Sequence, residues 1–210
     1  MNSKIRILAP VLSLLFLSGC ATMSGDECMT SDWRAIGYED GLQGYTGDRI
    51  GQHRKACAKH GVTPDLTAYT AGREQGLSEY CQPSRGFHVG ANGGSYYGVC
   101  AAHYEADFVD AYNAGRHLYI LRSNVNRANS AISSKEREID RIDQSIVDTE
   151  VALIADETTA DERLVLLLDL KNLAERKGEL EAQIRELYDD RARYRAELEN
   201  YQVIVADMGY

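Results

Sequence analysis

Leu166-Leu-Leu-Asp-Leu-Lys-Asn-Leu173-Ala-Glu-Arg-Lys-Gly-Glu-Leu180-Glu-Ala-Gln-Ile-Arg-Glu-Leu187 returns a leucine every seven residues, with Leu170 and Ile184 in the alternate seam positions. The repeat continues through Tyr194 and Tyr201, with Leu198 and Val205 between them, and an earlier run carries it at Val125, Ile132, Ile139, Ile146 and Leu153. An apolar repeat of this period keeps one stripe of a helix facing a partner, the pattern of a coiled coil. Between the runs lies Asp156-Glu-Thr-Thr-Ala-Asp-Glu162, where Thr159 and Glu162 have the spacing of a capping box and start a second helix near Ala160. So short a connection predicts antiparallel neighbours. Residues 123–210 therefore read as a long α-helical coiled-coil hairpin, its first arm continuous with a helix starting near Tyr104.

Centring the turn near Thr159 sets Leu153 by Leu166, Ile146 by Leu173, Ile139 by Leu180, Ile132 by Leu187 and Val125 by Tyr194. The layers between are mixed: Ile142 meets Lys177 and Lys135 meets Ile184. Each lysine can lay its stem on the seam and lift its ammonium to water, which weakens a coiled coil but fixes its register. Around the turn the outer faces become apolar as well. Val147, Val151 and Ile154 lie off the seam on the first arm, and Leu164, Val165, Leu167 and Leu168 on the second. A patch of that kind marks a contact site. Val151, Ile154, Leu164, Val165 and Leu168 are the candidate partner-binding residues, for a protein partner or a second copy. The alternative is that the helices bend, or the turn folds back, and hide them.

The other end of the chain carries an address. Lys4 and Arg6 precede an apolar run from Ile7 to Leu17 that is too short to span a membrane as a mature helix, followed by Leu17-Ser-Gly-Cys20. This resembles the bacterial lipobox, which implies a signal peptide at 1–19, lipidation of Cys20 and a tether at 20–27. Ala21 after the cysteine implies an outer-membrane, periplasm-facing destination. Removing 1–19 takes away Lys4 and Arg6 and no acid, moving the formal charge from −9 to −11. So acidic a chain repels nucleic acid and anionic lipid, and the membrane connection expected is the lipid alone.

From Cys28 to Arg122 the composition changes, with nine of the thirteen tyrosines and nearly all the glycines. This is expected to be a head module at 28–122, too small for a large core and stapled by disulfides. Cys28, Cys57, Cys81 and Cys100 make two bridges in an exported protein more readily than a metal site, since no C-x-x-C is present and the histidines are not grouped with them. Three connectivities are open. Cys28–Cys57 with Cys81–Cys100 is favoured because the second pair closes the base of the glycine-rich loop between them. No metal or cofactor is expected.

A weak repeat runs through the head: Gly37-Tyr38-Glu-Asp-Gly41, Ala68-Tyr69-Thr-Ala-Gly72 and Ala111-Tyr112-Asn-Ala-Gly115. On a helix the small residue and the glycine share a face, and close helix approach would offset the glycine's cost of roughly 1 kcal/mol. Helices are expected from Ser31 or Asp32 past Tyr38, from Asp48 to a terminating Gly61, and from Thr63-Pro64-Asp65 to about Tyr80. From Cys81 to Ala102 no helix is expected. Asn92-Gly93 between short β-capable runs predicts a small hairpin-like excursion there.

No nucleophile elbow, P-loop, dinucleotide fingerprint or H-E-x-x-H is present, so no catalytic residue is assigned. His53 and His60, seven apart, read as one face of a basic helix with Arg54, Lys55 and Lys59. The Gly90–Gly98 loop does not open a helix, as phosphate binding would require.

Several motifs in order do resemble a family: Asp32-Trp-x-x-x-Gly-Tyr-x-Asp-Gly41, His53-x-x-x-Cys57, Pro64-Asp65, Tyr69-x-x-Gly-Arg-x-x-Gly-Leu-x-x-Tyr-Cys81 and the Tyr-x-Gly-x-Cys ending at Cys100. From about Cys28 to Leu121 the chain is similar to an uncharacterised Gram-negative lipoprotein family of the DUF2799 type. The resemblance implies a lipid-anchored, periplasm-facing protein with paired cysteines and carries over no catalytic residues. The expected function is a structural or partner-binding role through the hairpin. The alternative is a binding module or enzyme acting on a glycan or peptide through the tyrosine- and glycine-rich head.

Overall fold

The computed structural model describes residues 23–210. They hold seven helices and no strand: α1 (Gly25–Thr30), α2 (Trp33–Leu42), α3 (Arg49–Ala58), α4 (Leu66–Tyr80), α5 (Pro83–Ala91), α6 (Ala102–Ile154) and α7 (Ala160–Asp207). The described residues divide into two compact units, with the break between Glu79 and Tyr80. Composition places a boundary at 122/123 instead; the division falls earlier because α5 packs on the start of the same unbroken helix that becomes the arm.

In the first unit, local spacing sets the helix starts. Ser24 and Glu27 form a reciprocal capping box that begins α1 inside the stretch read as a tether. Asp32 accepts from Arg34 N–H and Ala35 N–H at the start of α2. α4 begins later than Thr63-Pro64 suggests, because the Asp65 carboxylate accepts from Ala68 N–H at 2.9 Å and makes Asp65 the cap. Gly61, at φ 73°, lies just past α3 as a helix-terminating glycine. The core gathers Met23, Cys28, Trp33, Cys57 and Tyr69, with the Cys28–Cys57 disulfide inside it.

What brings α2 onto α4 is glycine on both helices. A methyl at Gly37 would overlap the Tyr69 carbonyl oxygen, and one at Gly72 the Arg34 carbonyl. One turn on, Gly41 meets the Arg73 carbonyl and Gly76 the Tyr38 carbonyl. Partner numbers rise together, so the helices cross in parallel, with Arg34–Gln75 and Tyr38–Glu79 hydrogen bonds at the edge. Backbones this close exchange weak Cα–H···O contacts, which offset the poor helix propensity of glycine.

The second unit repeats the device. Gly86 meets the Phe108 carbonyl, Gly90 the Tyr112 carbonyl, and Gly115 the Phe87 carbonyl. Here the expectation of a helix-free, hairpin-like stretch from Cys81 to Ala102 is corrected. Pro83 stands in the first turn of α5, and the glycines that suggest turns are instead its contact face. Asn92-Gly93 ends that helix: the Asn92 side chain donates to His88 O, and Gly93 takes φ 76°. The loop that follows is pinned by tyrosines, with Tyr112 OH donating to Gly94 O and Cys100 N–H donating to Tyr96 OH. Cys81–Cys100 closes its base.

α6 runs for 53 residues, about 80 Å, and packs along α7. Buried or half-buried positions on α7 recur with 4-3 spacing from Leu166 through Leu170, Leu173, Lys177, Leu180 and Ile184 onward, as the sequence repeat requires. Cross-helix bonds along the arm include Lys177–Asp143, Arg176–Glu138, Lys135–Gln183, Tyr188–Glu136, Arg191–Asn129 and Tyr201–Ala114. Partner numbers on α6 generally fall as those on α7 rise. Val205 closes a small core with Phe87, Ala111 and Leu118, and Tyr210 stacks on Phe87 at 4.6 Å.

Candidate functional sites

Two places concentrate polar or apolar groups beyond what the local fold requires. In the first unit they meet at Asp40. α2 buries Trp33, Gly37, Asp40 and Gly41 along one face, which sets the Asp40 carboxylate among the core side chains. Its Oδ2 is 2.8 Å from His53 Nε2 and accepts from Tyr69 OH at 2.8 Å; Arg49 Nε lies 3.6 Å from Oδ1. Asp40 thus ties α3, through His53, and α4, through Tyr69, to α2. Burial first, and then the bond to Asp40, push the Tyr69 hydroxyl well above the ordinary tyrosine pKa. Trp33 and Tyr69 both stand edge-on to the His53 ring.

An imidazole bonded to a carboxylate is the core of many acid–base sites, but such a site needs a reacting group at the second nitrogen. His53 Nδ1 is buried and has no hydrogen-bond partner. Among the described residues no side chain is within hydrogen-bond reach of that nitrogen. The second unit supplies an internal comparison. Aligning Gly37 and Gly41 with Gly86 and Gly90 puts Val89 where Asp40 stands; aligning Gly72 and Gly76 with Ala111 and Gly115 puts Phe108 where Tyr69 stands. The carboxylate and the phenol are lost together in the second crossing, where the third helix, α7, is held by apolar contact through Val205 instead. In the first unit these hydrogen bonds tie α3 and α4 to α2.

His60 falls beyond the end of α3 and is exposed, while His53 is buried, so the shared basic face expected of the pair does not form. The helix ends at Ala58 because the chain turns toward Gly61. The repeat tyrosines are committed inward or to neighbours: Tyr38 to Glu79, Tyr69 to Asp40, Tyr112 to Gly94. The bridges Cys28–Cys57 and Cys81–Cys100 have the pairing favoured from the sequence. Cys20 lies outside the described residues. Among the described residues no group of three or more His, Cys, Asp or Glu side chains is placed to hold a metal, and no helix is long and apolar enough to cross a membrane.

The second place is the α6–α7 turn. Thr159 and Glu162 form the expected capping box, and the Thr159 backbone and side-chain bonds hold the Glu162 carboxyl below its ordinary value. Arg163, which the sequence reading passed over, donates to Leu153 O, Thr158 O and Ala155 O. It satisfies carbonyls that the end of α6 would otherwise leave bare. The turn is thus built, and it does not fold back over the apolar side chains. Ile154 is 76% exposed, Val151 and Leu164 61%, Val165 57% and Leu168 54%. Val147 and Leu167 are exposed too.

No curated protein and no solved structure matches the chain significantly. Residues 32–117, which hold both glycine crossings and the Asp40 cluster, match the model of a protein family of unknown function, DUF2799.

Proposed function

We propose that this is a lipid-anchored protein of the Gram-negative cell envelope that works by association through its α6–α7 arm rather than by catalysis. Leu17-Ser-Gly-Cys20 supplies the anchor at the outer membrane, the disulfide-stapled head follows, and α6 with α7 forms an antiparallel coiled-coil hairpin facing the periplasm. The opposite run of the cross-helix partners supports the hairpin. The observation that carries the functional reading is the tip: along the middle of the arm, from 125 to 143 and from 171 to 193, the outer face is mostly polar and charged, and at the tip apolar side chains stand more than half exposed. A soluble monomer does not keep such a surface without use, so the tip takes an apolar helical face of another polypeptide. The head is the weaker candidate because its repeat tyrosines are bonded internally, Tyr38 to Glu79, Tyr69 to Asp40 and Tyr112 to Gly94, while Tyr97 stays exposed.

The experiment places a photo-crosslinking amino acid at Val151 or Leu168 in cells. Crosslinking to a protein at these positions, and none from Arg137 or Glu186 lower on the arm, is expected. Absence of any protein adduct from the tip overturns the reading. Cys20→Ser should abolish labelled palmitate uptake; unchanged labelling removes the anchor.

A further inference from the structure

We propose that the polypeptide received at the tip is a second copy of this chain, seated face to face in a two-fold dimer. The inference rests on the arm being the working part of the protein and adds the identity of its partner. The seam at the turn is made by Ile146 and Leu153 on α6 with Leu166, Leu170 and Leu173 on α7, all half-buried. With the helices antiparallel and roughly 100° of turn per residue, Val147 and Ile154 then point to the same side of the hairpin as Leu164 and Leu167. Val151 and Leu168 stand at the outer edges of that side. The opposite side is a different surface, where Ala152 and Val165 line a shallow cavity with Glu157 and Glu162 and where Asp148 and Asp169 also fall.

The apolar side is thus continuous across both helices. Its four central side chains are exposed by 51% (Val147), 76% (Ile154), 61% (Leu164) and 52% (Leu167). With Val151 and Leu168 they present on the order of 600 Å² of apolar surface, close to what one partner contributes to a standard interface of about 800 Å² a side. Glu150 and Lys171 border the patch with opposite signs, so a two-fold axis can set acid against base at both edges. A lipid surface is the poorer occupant: Asp156, Glu157, Asp161 and Glu162 crown the turn and would have to enter the bilayer first. Anchoring at Cys20 would hold copies in one membrane with arms side by side, which raises their effective concentration.

A self-facing patch has a signature that no other partner shares: one introduced cysteine crosslinks to itself. The native pairs Cys28–Cys57 and Cys81–Cys100 leave the oxidised chain suited to this test. The full chain, purified in detergent, would carry Leu164→Cys or Leu167→Cys, with Ser145→Cys on the opposite side as control. Mild oxidation should give a disulfide dimer from the first two and at least tenfold less from the third, and adding Ile154→Glu should remove the dimer while the helical circular dichroism is kept. No dimer from either patch cysteine, or equal yield from Ser145→Cys, overturns the proposal. If the wild-type chain also sediments as a monomer while the tip photo-crosslinks to a different protein in cells, the second-copy inference fails and the arm reading stands. If the tip crosslinks to nothing, both fail.

Discussion

Between Phe108 and Arg116, α6 meets α5 backbone to backbone, whereas from Val125 to Leu153 it meets α7 through a seam of branched side chains. The first contact is made by leaving atoms out, and there is no room to add one. The second is made by putting side chains in, and it admits polar layers such as Lys177 on Asp143 at 2.6 Å. The glycine crossing is closed on itself and offers nothing to a partner. The seam is open-ended, and where its outer face turns apolar at the tip the monomer has no further surface to offer. Function is expected where packing runs out.

The largest effect should come from filling a crossing. Gly72→Ala sets a methyl against the Arg34 carbonyl, backbone that cannot yield as a side chain could. It should cost at least about 3 kcal/mol and unfold the first unit, read as loss of the cooperative urea transition. Gly90→Ala, against the Tyr112 carbonyl, should do the same to the α5–α6 crossing. If either variant melts like wild type, the backbone contact is not what holds the helices.

In the seam the expected loss is comparable but graded. Leu180→Ala empties a fully buried position and should cost roughly 2–4 kcal/mol by denaturant midpoint, with the arm still helical at low denaturant. An unchanged midpoint would mean that α7 does not pack through this stripe.

A smaller effect separates the Asp40 cluster from its apolar counterpart. Tyr69 has a raised folded pKa, so the folded chain keeps a proton that the unfolded chain gives up. Its contribution is complete below the ordinary tyrosine pKa of about 10 and is lost as pH rises beyond it. Tyr69→Phe should flatten part of the alkaline fall in stability; Tyr80, Tyr96 and Tyr201, raised chiefly by burial, keep theirs. An identical pH profile for Tyr69→Phe would show that this hydroxyl is not buried against Asp40.

The seam's tolerance has a converse. Gly178 is in the interior of α7 with open space around its Cα, so Gly178→Ala should stabilise the arm by roughly 1 kcal/mol, where the same change at Gly72 is ruinous. Destabilisation by Gly178→Ala would mean that an unseen contact covers this face.

These contrasts also explain what was legible in the sequence. The seam, the capping box at Thr159 and the exposed tip depend on period and on spacing within a few residues, so they could be read directly. Ser24-x-x-Glu27 was legible by the same rule but stood in a stretch too polar to suggest a helix. α5 was hidden because Gly86 and Gly90 carry opposite meanings in a turn and in a tight crossing, and α6 alone decides between them. The Asp40 cluster joins residues 13 and 29 positions apart, a relation fixed only when three helices come together. The face Trp33, Gly37, Asp40, Gly41 was the available hint that Asp40 points inward.

The central claim, that the tip is an association surface between copies, is tested most directly by sedimentation velocity of the full chain and of its Ile154→Glu, Leu164→Glu variant in the same detergent. The account predicts a concentration-dependent dimer for the wild type, and for the variant a monomer with unchanged helical circular dichroism and an unchanged melt. A wild type that stays monomeric across the whole range, or a variant that dimerises equally well, would contradict it.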